Sequence, residues 1–191
     1  QYFVNGTKLE CNDMSDFWVD ICFKKMYIPA GVVKEGRNTV TVKTLFKRTT
    51  NIEAIYLVGD FGVRVEGDNK RILVKMPAKI GLGNLREYDL PFYTGSVTYK
   101  MPNNIFNKDA KNIAVELNGY CASLAKVAPA DGSDKAIVLA WAPYEADVTA
   151  WVKAGKDIGV TMVCSRRNVF GPLHLVPAIQ GGYGPGSFTT G

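Results

Sequence analysis

Short runs of alternating or β-branched residues recur along this chain with turn residues between them, and no other feature constrains its fold as much. They are Tyr2 to Val4, Phe17 to Phe23, Thr39 to Phe46, Ile52 to Val58, Gly62 to Val65, Ile72 to Lys75, Ser96 to Met101, Ile113 to Leu117, Ala136 to Trp141 and Gly159 to Cys164. Asn5-Gly6, Gly67-Asp68-Asn69, Asn118-Gly119 and Asp131-Gly132 mark the turns. Strand-sized runs at this density, closed by such turns, predict an all-β antiparallel β-sandwich. Helical turns are expected only at Pro29 to Lys34 and Ala146 to Lys153, each running into a glycine.

Those two stretches resemble each other. The first continues Lys34-Glu35-Gly36-Arg37-Asn38 into Thr39-Val40-Thr41-Val42, and the second continues Lys153-Ala154-Gly155-Lys156-Asp157 into Ile158-Gly159-Val160-Thr161. Each glycine supplies the positive φ that ends a turn, and the polar residue two places on steers the chain into a strand. An Asn-Gly or Asp-Gly corner lies upstream of each. The separation of about 119 residues is too long for a solenoid repeat and fits tandem domains. The expected division is residues 1–78, the latter part of a first sandwich, and residues 79–191, a second sandwich whose last strand is incomplete. Residues 77–90, with Pro77, Gly81 and Gly83, read as the passage between them. The opening Gln1-Tyr2-Phe3-Val4 reads as the middle of a strand, so the chain is expected to be a fragment.

With 191 residues, 47% of them hydrophobic, the chain can bury one large core or two small ones. No apolar run nears the ~20 residues of a membrane-spanning helix, so no membrane partner is expected. The net charge of +5 is spread over short pairs such as Lys24-Lys25 and Arg166-Arg167, which does not make a nucleic-acid footprint. Cys11, Cys22, Cys121 and Cys164 show no CxxC spacing and are expected to be buried thiols instead of disulfides, which tilts the location toward the cytoplasm over secretion. His174 is the single histidine. That excludes histidine-rich zinc motifs, and no cofactor or metal is expected.

Several of these segments, taken in order, resemble the galactose-binding-like jelly-roll domains of bacterial glycoside hydrolases, of the family 2 sugar-binding or α-L-rhamnosidase-like type. The resemblance is carried by Val4-Asn5-Gly6, Lys34-Glu35-Gly36-Arg37-Asn38, Ile55-Tyr56-Leu57-Val58-Gly59-Asp60-Phe61-Gly62-Val63, Leu90-Pro91-Phe92-Tyr93-Thr94-Gly95-Ser96-Val97-Thr98-Tyr99, Asp147-Val148-Thr149 and Arg167-Asn168-Val169-Phe170-Gly171-Pro172-Leu173-His174. Gly159, where an apolar strand residue is usual, departs from the pattern. The resemblance implies a non-catalytic accessory or carbohydrate-binding β-sandwich that packs on the catalytic domain of the same parent chain and helps position a glycan. It assigns no catalytic residue here, because in that family the hydrolytic carboxylates lie elsewhere in the parent enzyme. The other reading is a structural protein-interaction domain without sugar affinity.

Glycoside hydrolysis needs two facing carboxyl groups. Asp13, Asp16, Asp20, Asp60, Glu87, Asp89, Glu145 and Asp147 show no spacing that selects a pair, and Asp147 suits a helix cap while Asp60 suits a bend. Sugar binding asks for exposed aromatic faces with hydrogen-bonding groups beside them. Trp141, Tyr144 and Glu145, where a strand enters a loop, are candidates, with the core as the competing place for Trp141. Trp18 reads as core or interface. Arg166, Arg167, Asn168 and His174 gather two guanidinium groups, an amide and the imidazole around Gly171-Pro172; they form either a ligand-binding loop or the internal ties of an irregular one.

Overall fold

Asn5 and Gly6 decide the first turn. They sit at φ 48° and 82°, a left-handed pair that closes a two-residue hairpin and that asparagine and glycine accept most readily. In this computed structural model, which describes residues 1–11, 13–50, 55–67 and 70–170, the turn joins β1 (Tyr2–Val4) to β2 (Thr7–Leu9). On the other side of β1 lies β3 (Val40–Val42), giving an antiparallel sheet of order β2-β1-β3. Val4 stands opposite Thr7 on one flank and Val40 on the other.

The Asn5 side chain ties this sheet to the turn that precedes β3. Its Nδ2 donates to Val32 O at 2.8 Å and to Asn38 Oδ1 at 2.7 Å, and its Oδ1 accepts from Thr39 N at 2.9 Å. Asn38 Oδ1 also accepts from Lys34 N at 2.8 Å, and its Nδ2 donates to Lys34 O at 2.7 Å, closing the turn around Gly36 at φ 84°. These residues belong to the first of two compact units, Gln1–Leu57 and Val58–Gly191.

Among the described residues the second unit holds three sheets. β4 (Phe61–Glu66) and β5 (Lys70–Lys75) form an antiparallel pair. β6 (Ser96–Met101), β8 (Leu124–Pro129), β9 (Ile137–Leu139) and β11 (Ile158–Val163) form a four-stranded sheet of order β6-β11-β8-β9. The third sheet pairs β7 (Ala114–Glu116) with β10 (Glu145–Asp147), and the short helix α1 (Thr149–Lys153) follows β10. Strand periodicity assembles one core from these parts, since alternate side chains share a face. Ala125 and Val127 of β8, Leu139 of β9 and Ile158 and Val160 of β11 meet Ile113, Val115, Ala146, Val148 and Val152 from β7, β10, α1 and their ends. Ile158, Val127, Val148 and Val152 are the largest side chains fully removed from solvent, each worth about 1.5–3 kcal/mol. The result is an antiparallel β architecture of several sheets that pack together, a β-sandwich in the general sense.

Both units share one arrangement. β9-β8-β11 repeats the order β2-β1-β3, a positive-φ glycine turns each central strand into its neighbour (Gly6 at 82°, Gly132 at 70°), and another precedes each return strand (Gly36 at 84°, Gly155 at 79°). An asparagine ties each return turn. In the second unit it is Asn103, buried to 8% exposure, whose Nδ2 donates to Val152 O at 2.9 Å and Lys156 O at 3.0 Å while its N–H reaches Asp157 Oδ1 at 2.7 Å.

Several local expectations change. Phe17 to Phe23 is a tight hairpin and not a strand: Phe17 bridges Lys24, Trp18 N donates to Phe23 O at 2.9 Å, and Val19 turns left-handed at φ 71°. The Asp20 carboxylate accepts from Cys22 N at 2.8 Å, and that local acceptor favours the turn over an extended run. Pro29 to Lys34 is a turn closed by Val32 N to Pro29 O at 3.2 Å, without a helix. Of Ile52 to Val58, residues 52–54 lie outside the described residues and residues 55–58 form no strand. Residues 85–90 hold a 3-10 turn, the buried Leu90, and the Asp89 carbonyl that accepts from Val63 N at 2.6 Å. None of the four cysteines forms a disulfide, yet Cys22 and Cys121 are exposed because both lie in loops and not in strands.

Candidate functional site

The loop Gly119–Ser123 lies between β7 and β8 in the second unit. Gly119 takes φ 67°, which turns the chain sharply after β7. Tyr120 then folds back: its hydroxyl donates to Leu139 O at 3.3 Å, and its ring meets Tyr144 edge-on with centroids 5.0 Å apart at 84°. Such a T-shaped pair sets the positive edge of one ring against the negative face of the other. Ser123 N donates to Val163 O at 2.9 Å, so the far end of the loop is pinned to the end of β11.

Two cavities flank this loop. One, of about 260 Å³, is lined by Gly119, Tyr120, Ala122, Ser123, Ala140 and Tyr144. The other, of about 240 Å³, is lined by Cys121, Ala122, Ser123, Ser165 and Asn168. Ala122 and Ser123 line both. Asn168 is placed by the 3-10 turn Arg166–Phe170 after β11, where its Nδ2 donates to Tyr93 O at 3.0 Å.

Of the expected site residues, Tyr144 lines the first cavity and Asn168 the second. The remaining candidates fall out differently. Trp141 is 78% exposed, which overturns the expectation that it continues its strand into the core: β9 ends at Leu139 and the chain has already bent away. Glu145 is exposed and lines neither cavity; with Ala146 buried beneath β10, the strand period turns Glu145 and Asp147 outward, and Glu145 stands opposite Glu116. Arg166 is exposed and lines neither cavity. Arg167 shares the backbone of the 3-10 turn, and its side chain lies outside the described residues, as does His174 entirely. Trp18 is half-buried, its ring 6.4 Å from Phe23 and 6.1 Å from Tyr56 between centroids.

The chemistry of the groove is that of hydrogen bonding and ring contact. Burial pushes the Tyr120 phenol above its ordinary value, so it stays a protonated donor. Burial likewise raises the Cys164 thiol, just past the end of β11, above its ordinary value. The carboxylates are engaged locally. Asp147 Oδ1 accepts from Thr149 N at 2.8 Å at the start of α1, and Thr149 hydrogen bonding holds its carboxyl below the ordinary value. Asp131 accepts from Lys156 Nζ at 2.8 Å and from Ser133 N at 3.0 Å, and Asp134 accepts from the Trp151 indole at 2.8 Å. Among the described residues no group of three or more His, Cys, Asp or Glu side chains could hold a metal ion. No helix there is long and apolar enough to cross a membrane.

Sequence reasoning missed Tyr120, Ala122, Ser123 and Ser165. Asn118-Gly119 was the available signal, because a turn marker just before a tyrosine and a serine places both on a loop end. Comparison with protein-family models, with curated proteins and with solved structures gives no match.

Proposed function

We propose that this chain is a non-catalytic accessory region of a glycoside hydrolase, built from the latter part of one galactose-binding-like jelly roll (residues 1–78) and most of a second (79–191). In this reading it packs on the parent catalytic domain and helps to hold a glycan in the groove beside Gly119–Ser123. The observation that carries the reading is the Tyr120–Tyr144 pair lining one cavity with Ser123, which also lines the cavity that holds Asn168. Aromatic rings cover the C–H faces of a sugar while hydroxyl and amide groups meet its hydroxyls. Trp141, exposed on the same loop as Tyr144, would extend the platform. The repeated strand order in the two units supports the tandem arrangement.

A glycan-array screen of the chain, followed by calorimetry on the best sugar, tests this directly. Tyr144→Ala is expected to weaken binding at least about tenfold with the fold intact, the cost of losing a central aromatic contact. Binding unaffected by Tyr144→Ala would remove the groove from the account.

A second reading, a protein-interaction domain, is favoured by β3. Thr39 O and Lys43 N point toward β1, so the alternation turns the Val40 and Val42 amides to the other side of β3, an edge with no partner strand among the described residues, and these two side chains are 58% and 40% exposed. Open edges of this kind accept strands from other chains. Concentration-dependent dimerisation that Val42→Pro abolishes would favour it over the sugar reading.

A further inference from the structure

Three corners of this chain set a glycine directly after an asparagine or aspartate: Asn5-Gly6, Asn118-Gly119 and Asp131-Gly132. At such a pair the glycine nitrogen can attack the side-chain carbonyl carbon of the residue before it, because no Cβ on the glycine crowds the approach. The succinimide ring that forms leads from asparagine to aspartate and isoaspartate. The fate of each pair depends on whether the fold engages the side chain and the attacking nitrogen elsewhere.

Two of the corners are engaged. The Asn5 Nδ2 donates to Val32 O at 2.8 Å and to Asn38 Oδ1 at 2.7 Å, and its Oδ1 accepts from Thr39 N at 2.9 Å. At the third corner Asp131 accepts from Lys156 Nζ at 2.8 Å and from Ser133 N at 3.0 Å, and the Gly132 nitrogen donates to Pro129 O at 3.0 Å. Those hydrogen bonds also hold the Asp131 carboxyl below its ordinary value, and an ionised carboxylate is a poor electrophile.

The remaining corner is open. Asn118 and Gly119 are both exposed and belong to no strand. Among the described residues neither the Asn118 carboxamide nor the Gly119 N–H has a hydrogen-bond partner. Their neighbours, by contrast, are fixed to one residue: Leu117 N donates to Tyr144 O at 2.9 Å, and the Tyr120 ring packs on the Tyr144 ring. The pair is the loose span between two anchors.

From these observations we infer that Asn118-Gly119 is a modification site, at which the folded chain deamidates itself while the other two corners stay intact. The Gly119 nitrogen bonds to Asn118 Cγ and gives up its proton, and the side-chain nitrogen leaves as ammonia. Water then opens the succinimide. Attack at the side-chain carbonyl gives aspartate, and attack at the main-chain carbonyl gives isoaspartate. Either product replaces a neutral amide with a carboxylate beside Gly119 and Tyr120, which line the tyrosine-walled cavity. The isoaspartyl form also lengthens the span between Leu117 and Tyr120 by a methylene, which disturbs the Tyr120–Tyr144 contact. The inference is independent of any sugar.

The test is to age the full chain at mildly alkaline pH, folded and in concentrated urea. Peptide mass analysis, with fragmentation that separates aspartate from isoaspartate, then follows Asn5, Asn118 and Asp131. In the folded chain Asn118 is expected to convert at least about tenfold faster than Asn5, because Asn5 must first open its hydrogen bonds. In urea the two rates should come together, since only local sequence remains there. Asn118→Gln should abolish the signal at that position, and the Tyr120 and Tyr144 ring resonances should move in the purified isoaspartyl form. Equal folded-state rates at Asn5 and Asn118, or an Asn118 that converts in urea and not in the folded chain, overturn the assignment. A gap that survives in urea overturns the role of the fold, and ring resonances that stay in place overturn the link to the cavity.

Discussion

Asn5 and Asn103 perform parallel work in the two units, each bonding the turn that launches a return strand, and their environments differ enough to separate their energetic weight. Asn103 is buried, and its amide serves Val152 O and Lys156 O. Asn103→Ala is expected to lower stability by about 2 kcal/mol, since two carbonyls lose a donor in a site that water reaches poorly; a shift of the urea midpoint at unchanged slope checks it. Asn103 could not have been selected from sequence, because nothing in Met101-Pro102-Asn103-Asn104 distinguishes a buried amide from a turn residue. Asn5 could, because Asn-Gly marks a hairpin by itself. Asp131 gives a prediction in pH. Hydrogen bonding from Lys156 and Ser133 depresses its carboxyl well below 3.8, the ordinary value. A depressed folded-state value means that the contribution to stability is fully present above the unfolded value and is lost as pH falls through the folded one. The carboxyl resonance of Asp131 should therefore titrate below pH 3.8, and Lys156→Met should move its midpoint upward. A midpoint indifferent to Lys156→Met would show that the Lys156 contact does not persist in solution.

At the scale of elements, alternation exposed the strands that carry β-branched residues and concealed those that do not. β6 reads Ser-Val-Thr-Tyr-Lys-Met and was legible in full. β8 reads Leu-Ala-Lys-Val-Ala-Pro and was missed, although Ala125 and Val127 are wholly buried and the strand lies between β9 and β11. Its alanines and closing proline have low strand propensity, and its place is set by burial between neighbours, which no local pattern records. β10 was missed for a related reason: Glu-Ala-Asp looks polar until one sees that only Ala146 faces the core. The β4–β5 pair offers a sharp test. A Cβ on Gly62 would stand 2.9 Å from Asp89 O and 3.0 Å from Val74 Cγ2. Gly62→Ala is expected to cost about 1–3 kcal/mol, because one contact is backbone and cannot rotate away. Faster amide exchange in Val63 and Leu90 than elsewhere in the unit would locate the damage there, and wild-type exchange in this segment would contradict the packing.

For the whole molecule, the general antiparallel β architecture was legible because turn markers and short runs alternate along most of the chain. The repeat of Lys-x-Gly turns was legible too, and its glycines, Gly36 and Gly155, take φ 84° and 79° ahead of β3 and β11. The groove was visible only in part. Tyr144 and Asn168 stood out as an aromatic and an amide in loops, but the loop that joins them, Gly119–Ser123, acquires meaning only when β7, β8 and β11 converge on it. Proximity of that kind is a property of topology and not of spacing. If this convergence makes a carbohydrate site, an amide NMR titration with the best-binding sugar reads it most directly. Saturable shifts concentrated in residues 119–123, 140–144 and 165–168 are expected, with their disappearance in Tyr144→Ala. Shifts confined to the first unit, or scattered over the surface without saturation, would contradict it.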